Sequence, residues 1–215
     1  TYSGEVESER QLLSGRYNDY HAIFDGDIEN IPQREVHFDI KWLDYAGVEV
    51  LRKYNKKPKI ISSCAVIVCP ESKEIVVQKR STSVDTYSGY YHTIGGAYIP
   101  DFSGTTRVND KGDPWHTLSR EIHEETGISL NQNNPNPVVM LSEEISTGFL
   151  QFVYLGVVVT KKQLDVMRSD WEGNNDTFKF DELGYKLRRN FVPSGKGQIF
   201  AWLALGAPNA ARGKV

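Results

Sequence analysis

Apolar residues are unevenly spaced along the chain, and the spacing sharpens after residue 58. IISSCAVIVC (60–69) is β-branched and almost continuously apolar, the pattern of a strand buried on both faces. Residues 70–73 read as a turn, and EIVVQKR (74–80) as the returning strand of a hairpin. TIGGAYI (93–99) is a further short extended segment that contains two glycines. Asp113 and Pro114 predict a helix start, with the aspartate as N-cap and the proline in the first turn. That helix should run to about Thr126 and stop at Gly127, with Leu118 and Ile122 on its core face. VVMLSEEIS (138–146) and FLQFVYLGVVV (149–159) read as strands, and KKQLDVMR (161–168) as a short helix. FKFDELGYKL (178–187) reads as one strand leading into another. GKGQIFAWLAL (195–205) predicts a C-terminal helix that packs through Ile199, Phe200, Leu203 and Leu205. Strands interleaved with two or three helices give a mixed α/β (α+β) sandwich.

The first 58 residues are more polar, punctuated by Gly15, Gly26 and Pro32, and read as an N-terminal extension with extra strands. REVHFDIKW (34–42) alternates as a strand with Val36, Phe38 and Ile40 on one face, while AGVEVLRKY (46–54) fits a strand or a short helix. The basic run RKYNKKPK (52–59) reads as a solvated linker that breaks at Pro58. Residues 207–215 read as a flexible tail.

Composition narrows the class. With 39% hydrophobic and 25% charged residues the chain is globular rather than disordered. A formal net charge of -3 argues against a dedicated nucleic-acid or anionic-membrane binder. Cys64 and Cys69 lie five apart in one extended run, so they point to opposite faces and cannot pair. Two buried thiols, no run of about 20 apolar residues and no export pattern predict a cytoplasmic protein.

The chemistry concentrates in REIHEETGI (120–128). On a helix, Glu121, Glu124 and Glu125 share one face, where like charges repel by several tenths of a kcal/mol per pair. A hard divalent cation such as Mg²⁺ or Mn²⁺ removes that cost, because it prefers oxygen ligands and bridges readily to phosphates. As charge patterning alone, the stretch would be a solvated helix end with Arg120 paired to Glu124. Arg-Glu-x-x-Glu-Glu-x-Gly, however, arises by chance in only about one window per million.

These residues resemble the second half of the Nudix box, which is complete from 120 to 128. The first half departs from that pattern. If Gly96 is the motif glycine, the connecting loop is about ten residues longer than usual. Counting back from Arg120, the box's first glutamate falls on Gly112, with Asp110 or Asp113 as substitutes. The resemblance implies an α/β/α sandwich around a mixed sheet, with a catalytic domain over residues 59–206. It implies Mg²⁺ or Mn²⁺ held by Glu121, Glu124 and Glu125 with the Gly96 carbonyl, and Arg120 orienting a glutamate. Glu121 and Glu124 are also candidates for catalysis. Glu172, with Asp176 behind it, is the candidate distal base or ligand in WEGNNDTFKFDEL (171–183).

Arg80 ends a strand where a guanidinium suits bidentate phosphate contact. Tyr91, among Tyr87, Tyr90, Tyr98 and Trp115, is the candidate for stacking on a substrate base. His123 reads as a surface residue and His92 as a weak candidate. The implied activity is hydrolysis of the diphosphate linkage in a nucleoside diphosphate derivative, a small molecule, and the N-terminal 58 residues are candidates for forming a homodimer or for substrate choice. Two alternatives share the fold: a nucleotide-sensing module without turnover, and an isoprenoid-diphosphate isomerase. The isomerase would want a cysteine near the Gly-Gly pair, and SGYYHTIGGAYI (88–99) has none.

Overall fold

The computed structural model describes residues 2–13, 20–24, 40–84, 86–99, 113–131 and 136–205. The central strand is β3 (Lys59–Cys69), and the remainder of the sheet is organised by what pairs with it. Its residues 61–68 pair in parallel with β8 (Phe149–Val158). Along residues 62–65 it pairs antiparallel with β6 (Ile94–Ala97), and along 67–69 with β4 (Glu74–Arg80). Because β8 occupies one edge of β3, β6 and β4 must share the other. β4 continues the sheet through β5 (Tyr91–His92) and β9 (Gly173–Lys179), and β7 (Met140–Glu144) flanks β8.

Alternation along β3 divides the core into two layers. Val66 and Val68 pack with Ile75, Val77, Phe178, Ile199, Trp202 and Leu203, beneath α6 (Pro193–Leu205). Ala65, Ile67 and Cys69 pack with Ile94, Trp115, Leu118, Ile122 and Tyr154, beneath α3 (Pro114–Thr126). Helices on both faces of a mixed sheet are the expected α/β/α sandwich. Cys64 and Cys69 are both buried and free, on opposite sides of the strand: Cys64 is hydrogen-bonded with Gln198 of α6, whereas Cys69 lies in the α3 layer.

N-terminal to this sandwich, α1 (Ser3–Leu12) packs on α2 (Tyr45–Lys53). There, β1 (Tyr20–Phe24) pairs with β2 (Ile40–Asp44) and joins the sheet where Ile23 and Phe24 meet Ile60 and Lys59. The ambiguous segment after residue 45 is thus a helix. Asp44 caps it by accepting the Gly47 N–H, and Arg10 of α1 donates to the same carboxylate at 2.6 Å. Of the strand expected over 34–42, the described part begins at Ile40; Val36 and Phe38 lie outside the described residues, as do 206–215.

Two further expectations are corrected. FKFDELGYKL does not continue into a strand: β9 ends at Lys179, and a 3₁₀ turn (Phe180–Glu182) leads into α5 (Leu183–Lys186). In α6 the inward stripe is Gly195, Gln198, Ile199, Trp202 and Leu203, at helical spacing. Phe200 and Leu205 face outward. Polar Gln198 belongs to the stripe because Thr93 donates to it and it donates to Gln151 inside the core. The remaining helix is α4 (Lys161–Asp165), closed by a capping box between Thr160 and Gln163. Among the described residues no helix is long and apolar enough to cross a membrane.

The first turn of α6 covers His92 closely, with space at Gly195 for little more than hydrogen beside the imidazole. Burial, reinforced by the Arg80 guanidinium, pushes the His92 pKa down to about 4. A histidine with a depressed folded pKa stabilises the fold fully above its unfolded value near 6.5, and that contribution is lost as pH falls toward 4. Thermal melts of the chain and of His92→Gln between pH 7 and 4 should therefore diverge, the unaltered chain losing stability more steeply. Parallel curves would contradict the placement of this ring.

Candidate active site

Helix α3 is fixed at both ends by its own sequence. Asp113 accepts the Trp115 N–H at 2.9 Å, Pro114 fills the first turn, and Gly127 closes the helix in the left-handed region at φ 75°. Leu118 and Ile122 are fully buried, each contributing about 1.5–3 kcal/mol through burial. These anchors fix the rotation of the helix and so decide where its glutamates point.

Their environments differ. Glu125 is 4% exposed, Glu121 12% and Glu124 58%. Arg120, largely enclosed among them, contacts Glu121 at 2.8 Å and Glu124 at 3.0 Å, and donates to the Ala97 carbonyl at 2.9 Å. The last bond ties α3 to β6. The two glycines of β6 are needed for separate reasons. At Gly95 a Cβ would overlap the backbone of Ser63 and Cys64 in β3, and the residue sits at φ 153°. At Gly96 a Cβ would occupy the space of the Glu121 carboxylate.

Two more groups reach this face from distant parts of the chain. Arg80 ends β4 and donates through Nε to the Thr86 carbonyl at 3.0 Å. Across the β4–β9 ladder it stands opposite Gly173, so Glu172 arrives beside it, and the Ser81 N–H donates to the Glu172 carbonyl at 2.6 Å. Glu125 and Glu172 both feel the Arg80 cation. Asp170, which sequence reading passed over, joins the same group: its field acts on Glu125 and Glu172, and that of Glu124 acts on it. Its only sequence signal was a position two residues before Glu172, which is too little to single out a loop acid.

The cluster is electrostatically crowded. Burial first, and then Glu172 and Glu124 against the opposing pull of Arg120, raise the Glu121 pKa to about 8. Glu125 is pushed well above the usual carboxylate range by burial, with Glu121, Glu172 and Asp170 adding to it. Glu172 and Asp170 are raised as well, burial leading in each. Glu125 Oε2 is buried with no hydrogen-bond partner among the described residues. An all-oxygen donor set, an orphaned carboxylate oxygen and raised proton affinities together fit a hard divalent cation. Among the described residues, no three His, Cys, Asp or Glu side chains already stand in coordinating positions, and Arg120 engages Glu121 and Glu124.

Other sequence candidates lie elsewhere. Tyr91 packs against Phe178 and Phe191 in the α6 layer, away from the α3 glutamates. Tyr98 stacks on Trp42 of β2, and Trp115 is buried against Tyr154. Asp176 is exposed within β9, and exposed His123 meets Ser129 on the outer side of α3. Asp113 is the helix cap, while Asp110 and Gly112 lie outside the described residues. A cavity of about 460 Å³ near Trp42 and Pro58 is lined by none of the clustered carboxylates.

No family model and no curated protein matches the chain. Solved structures do. The MutT protein from Methanosarcina mazei Go1 is similar at 20% identity, with a TM-score of 0.51 over 68% of this chain and 94% of that one. A bifunctional NMN adenylyltransferase/ADP ribose pyrophosphatase from Francisella tularensis matches at 16% identity, with a TM-score of 0.50 over 74% of this chain and 45% of that one. A NUDIX hydrolase from Nitrosomonas europaea matches at 21% identity, with a TM-score of 0.47 over 67% of this chain and 88% of that one. What the first two of these structures share with the chain is the fold.

A carboxylate whose folded pKa is raised favours the fold below its unfolded value near 4.5, and that contribution is lost as pH rises, for Glu121 through about 8. In EDTA, the melting temperature should fall more steeply from pH 6 to 9 for the unaltered chain than for Glu125→Gln. Mg²⁺ or Mn²⁺ at pH 8.5 should then raise it in the unaltered chain and barely move it in the variant. An equal rise in both would remove Glu125 from any metal site.

Proposed function

We propose that this chain, which has the Nudix fold, is a metal-dependent hydrolase that cleaves the diphosphate linkage of a nucleoside diphosphate derivative. The observation that supports this reading most is the convergence of Glu121, Glu124 and Glu125 with Glu172, Arg80 and Arg120 on one face. Glu121, Glu124 and Glu125, with the Gly96 carbonyl, are the residues that would hold Mg²⁺ or Mn²⁺. When bound, the cation supplies charge neutralisation at the diphosphate and a more acidic attacking water.

The chain's own groups divide the remaining work. Arg120 orients Glu121 and Glu124 through charge-assisted contacts while anchored to Ala97. Arg80 offers a guanidinium at the edge of the cluster, suited to a phosphate oxygen. Glu172 is the general base: burial raises its proton affinity, which brings a carboxylate closer to the neutral range where it can accept a proton effectively. Reaction at this face leaves the two buried cysteines unused, in keeping with hydrolysis rather than isomerisation.

Glu124 is the cleanest test because it is exposed and its loss leaves the core intact. Glu124→Gln should lower turnover of nucleoside diphosphate sugars and dinucleotides by roughly 10²-fold or more with an unchanged melting temperature. Undiminished turnover would sink the assignment. Glu172→Gln should lower kcat by roughly 10²–10⁴-fold if it is the base. A change of less than about threefold would make it a bystander.

A further inference from the structure

Glu172 lies in a loop, yet its backbone is held on every side. Both the Glu172 and Gly173 N–H groups donate to Asp170 Oδ1, at 2.9 and 3.2 Å. The Ser81 N–H holds the Glu172 carbonyl at 2.6 Å. At Gly173 a Cβ would overlap the Lys79 carbonyl, so the chain lies directly on β4 there. The base of the loop is fastened to the box helix. Asn175 Nδ2 donates to the Glu125 carbonyl at 2.7 Å and to the Arg168 carbonyl at 2.6 Å, and the Arg168 N–H donates to the Thr126 carbonyl at 3.0 Å. These bonds fix where the loop docks on α3 and where it enters β9. Between those points, the turn closed by the Asp170 side chain sets the direction of Glu172.

We propose that Asp170 is a positioning residue for the reaction: by accepting the Glu172 and Gly173 N–H groups it aims the Glu172 carboxylate at the α3 glutamates. This rests on the proposed hydrolysis with Glu172 as base. The role belongs to the acceptor oxygen at that position, since a neutral side chain of the same shape could accept both N–H groups. The side chain acts through Glu172 and has no part of its own in substrate binding.

The experiment compares Asp170→Asn, Asp170→Ala and Asp170→Glu in the full chain, each alone and combined with Glu172→Gln, by steady-state kinetics with Mg²⁺. Asn keeps the acceptor but removes a charge that acts on Glu172, so kcat should fall only a few-fold and clearly less than for Ala. Ala removes the acceptor, and Glu keeps the charge but displaces the acceptor by one methylene. Both should lower kcat about tenfold or more with KM changed less than threefold. In the Glu172→Gln background, Ala and Glu should cost nothing further, because two residues acting through one another are non-additive. Melting temperatures are measured alongside; should Asp170→Ala not fold, the Asn and Glu variants still decide.

Asparagine as damaging as alanine, Glu at full rate, or an equal loss in the Glu172→Gln background would each overturn the inference while leaving the hydrolase reading intact. Absence of metal-dependent hydrolysis in the unaltered chain would overturn that reading, and the inference with it.

Discussion

Five carboxylates, Glu121, Glu124, Glu125, Asp170 and Glu172, crowd one face against two guanidinium groups, Arg80 and Arg120. Glu121, Glu125, Asp170 and Glu172 hold their protons more tightly than free carboxylates do. In water such side chains would swing apart, since repulsion between exposed like charges is easily relieved by rotation. Here they cannot. Glu125 is sealed in beside the core, Glu121 is pinned between Arg120 and Gly96, and Glu172 is tied down by backbone bonds on both sides. An arrangement that opposes its own ionisation requires the surrounding structure to over-determine it.

Much of the molecule can be understood as that support. β3 pairs first with β6 and then with β4 along one edge, which brings Gly96 and Arg80 to the face where α3 lies. The layer beneath α3 supplies the anchors Leu118 and Ile122, which prevent the helix from rotating its glutamates away. The opposite layer does comparable work at the far edge. Glu144, buried at the end of β7, accepts the N–H of Ser194 in the first turn of α6 and the hydroxyls of Tyr87 and Ser146. It thereby secures the loop that follows Arg80. The two faces of the sheet meet in Arg80, which influences Glu125 and Glu172 on one side and His92 on the other.

In the proposed reaction, the same geometry would separate the cation's ligands and the base by origin. The α3 carboxylates come from a single turn and a half of helix and move as one body. Glu172 comes from a loop whose position is set by the β4–β9 ladder and by Asn175. In a reaction that needs one group of oxygens to hold charge steady and another to accept a proton, mounting them on different elements allows each environment to be tuned separately.

What the sequence determined by itself were the properties fixed by neighbours along the chain. The α3 caps, its stop at Gly127, the shared face of Glu121, Glu124 and Glu125, the β3–β4 hairpin and the opposite facing of Cys64 and Cys69 all follow from local spacing. Helical and strand periodicity are short-range geometry. Only the tertiary structure decided that Asp170 joins the cluster, that Tyr91 faces the α6 core, and that α6 buries Gln198 and Trp202 rather than Phe200. It also decided that 45–53 is a helix, through a cap that Arg10 reinforces. The first three depend on residues tens of positions apart brought together by strand register, and the last on Arg10 of α1 reaching a local cap. A register is selected by burial across the entire sheet, and no window of sequence contains it.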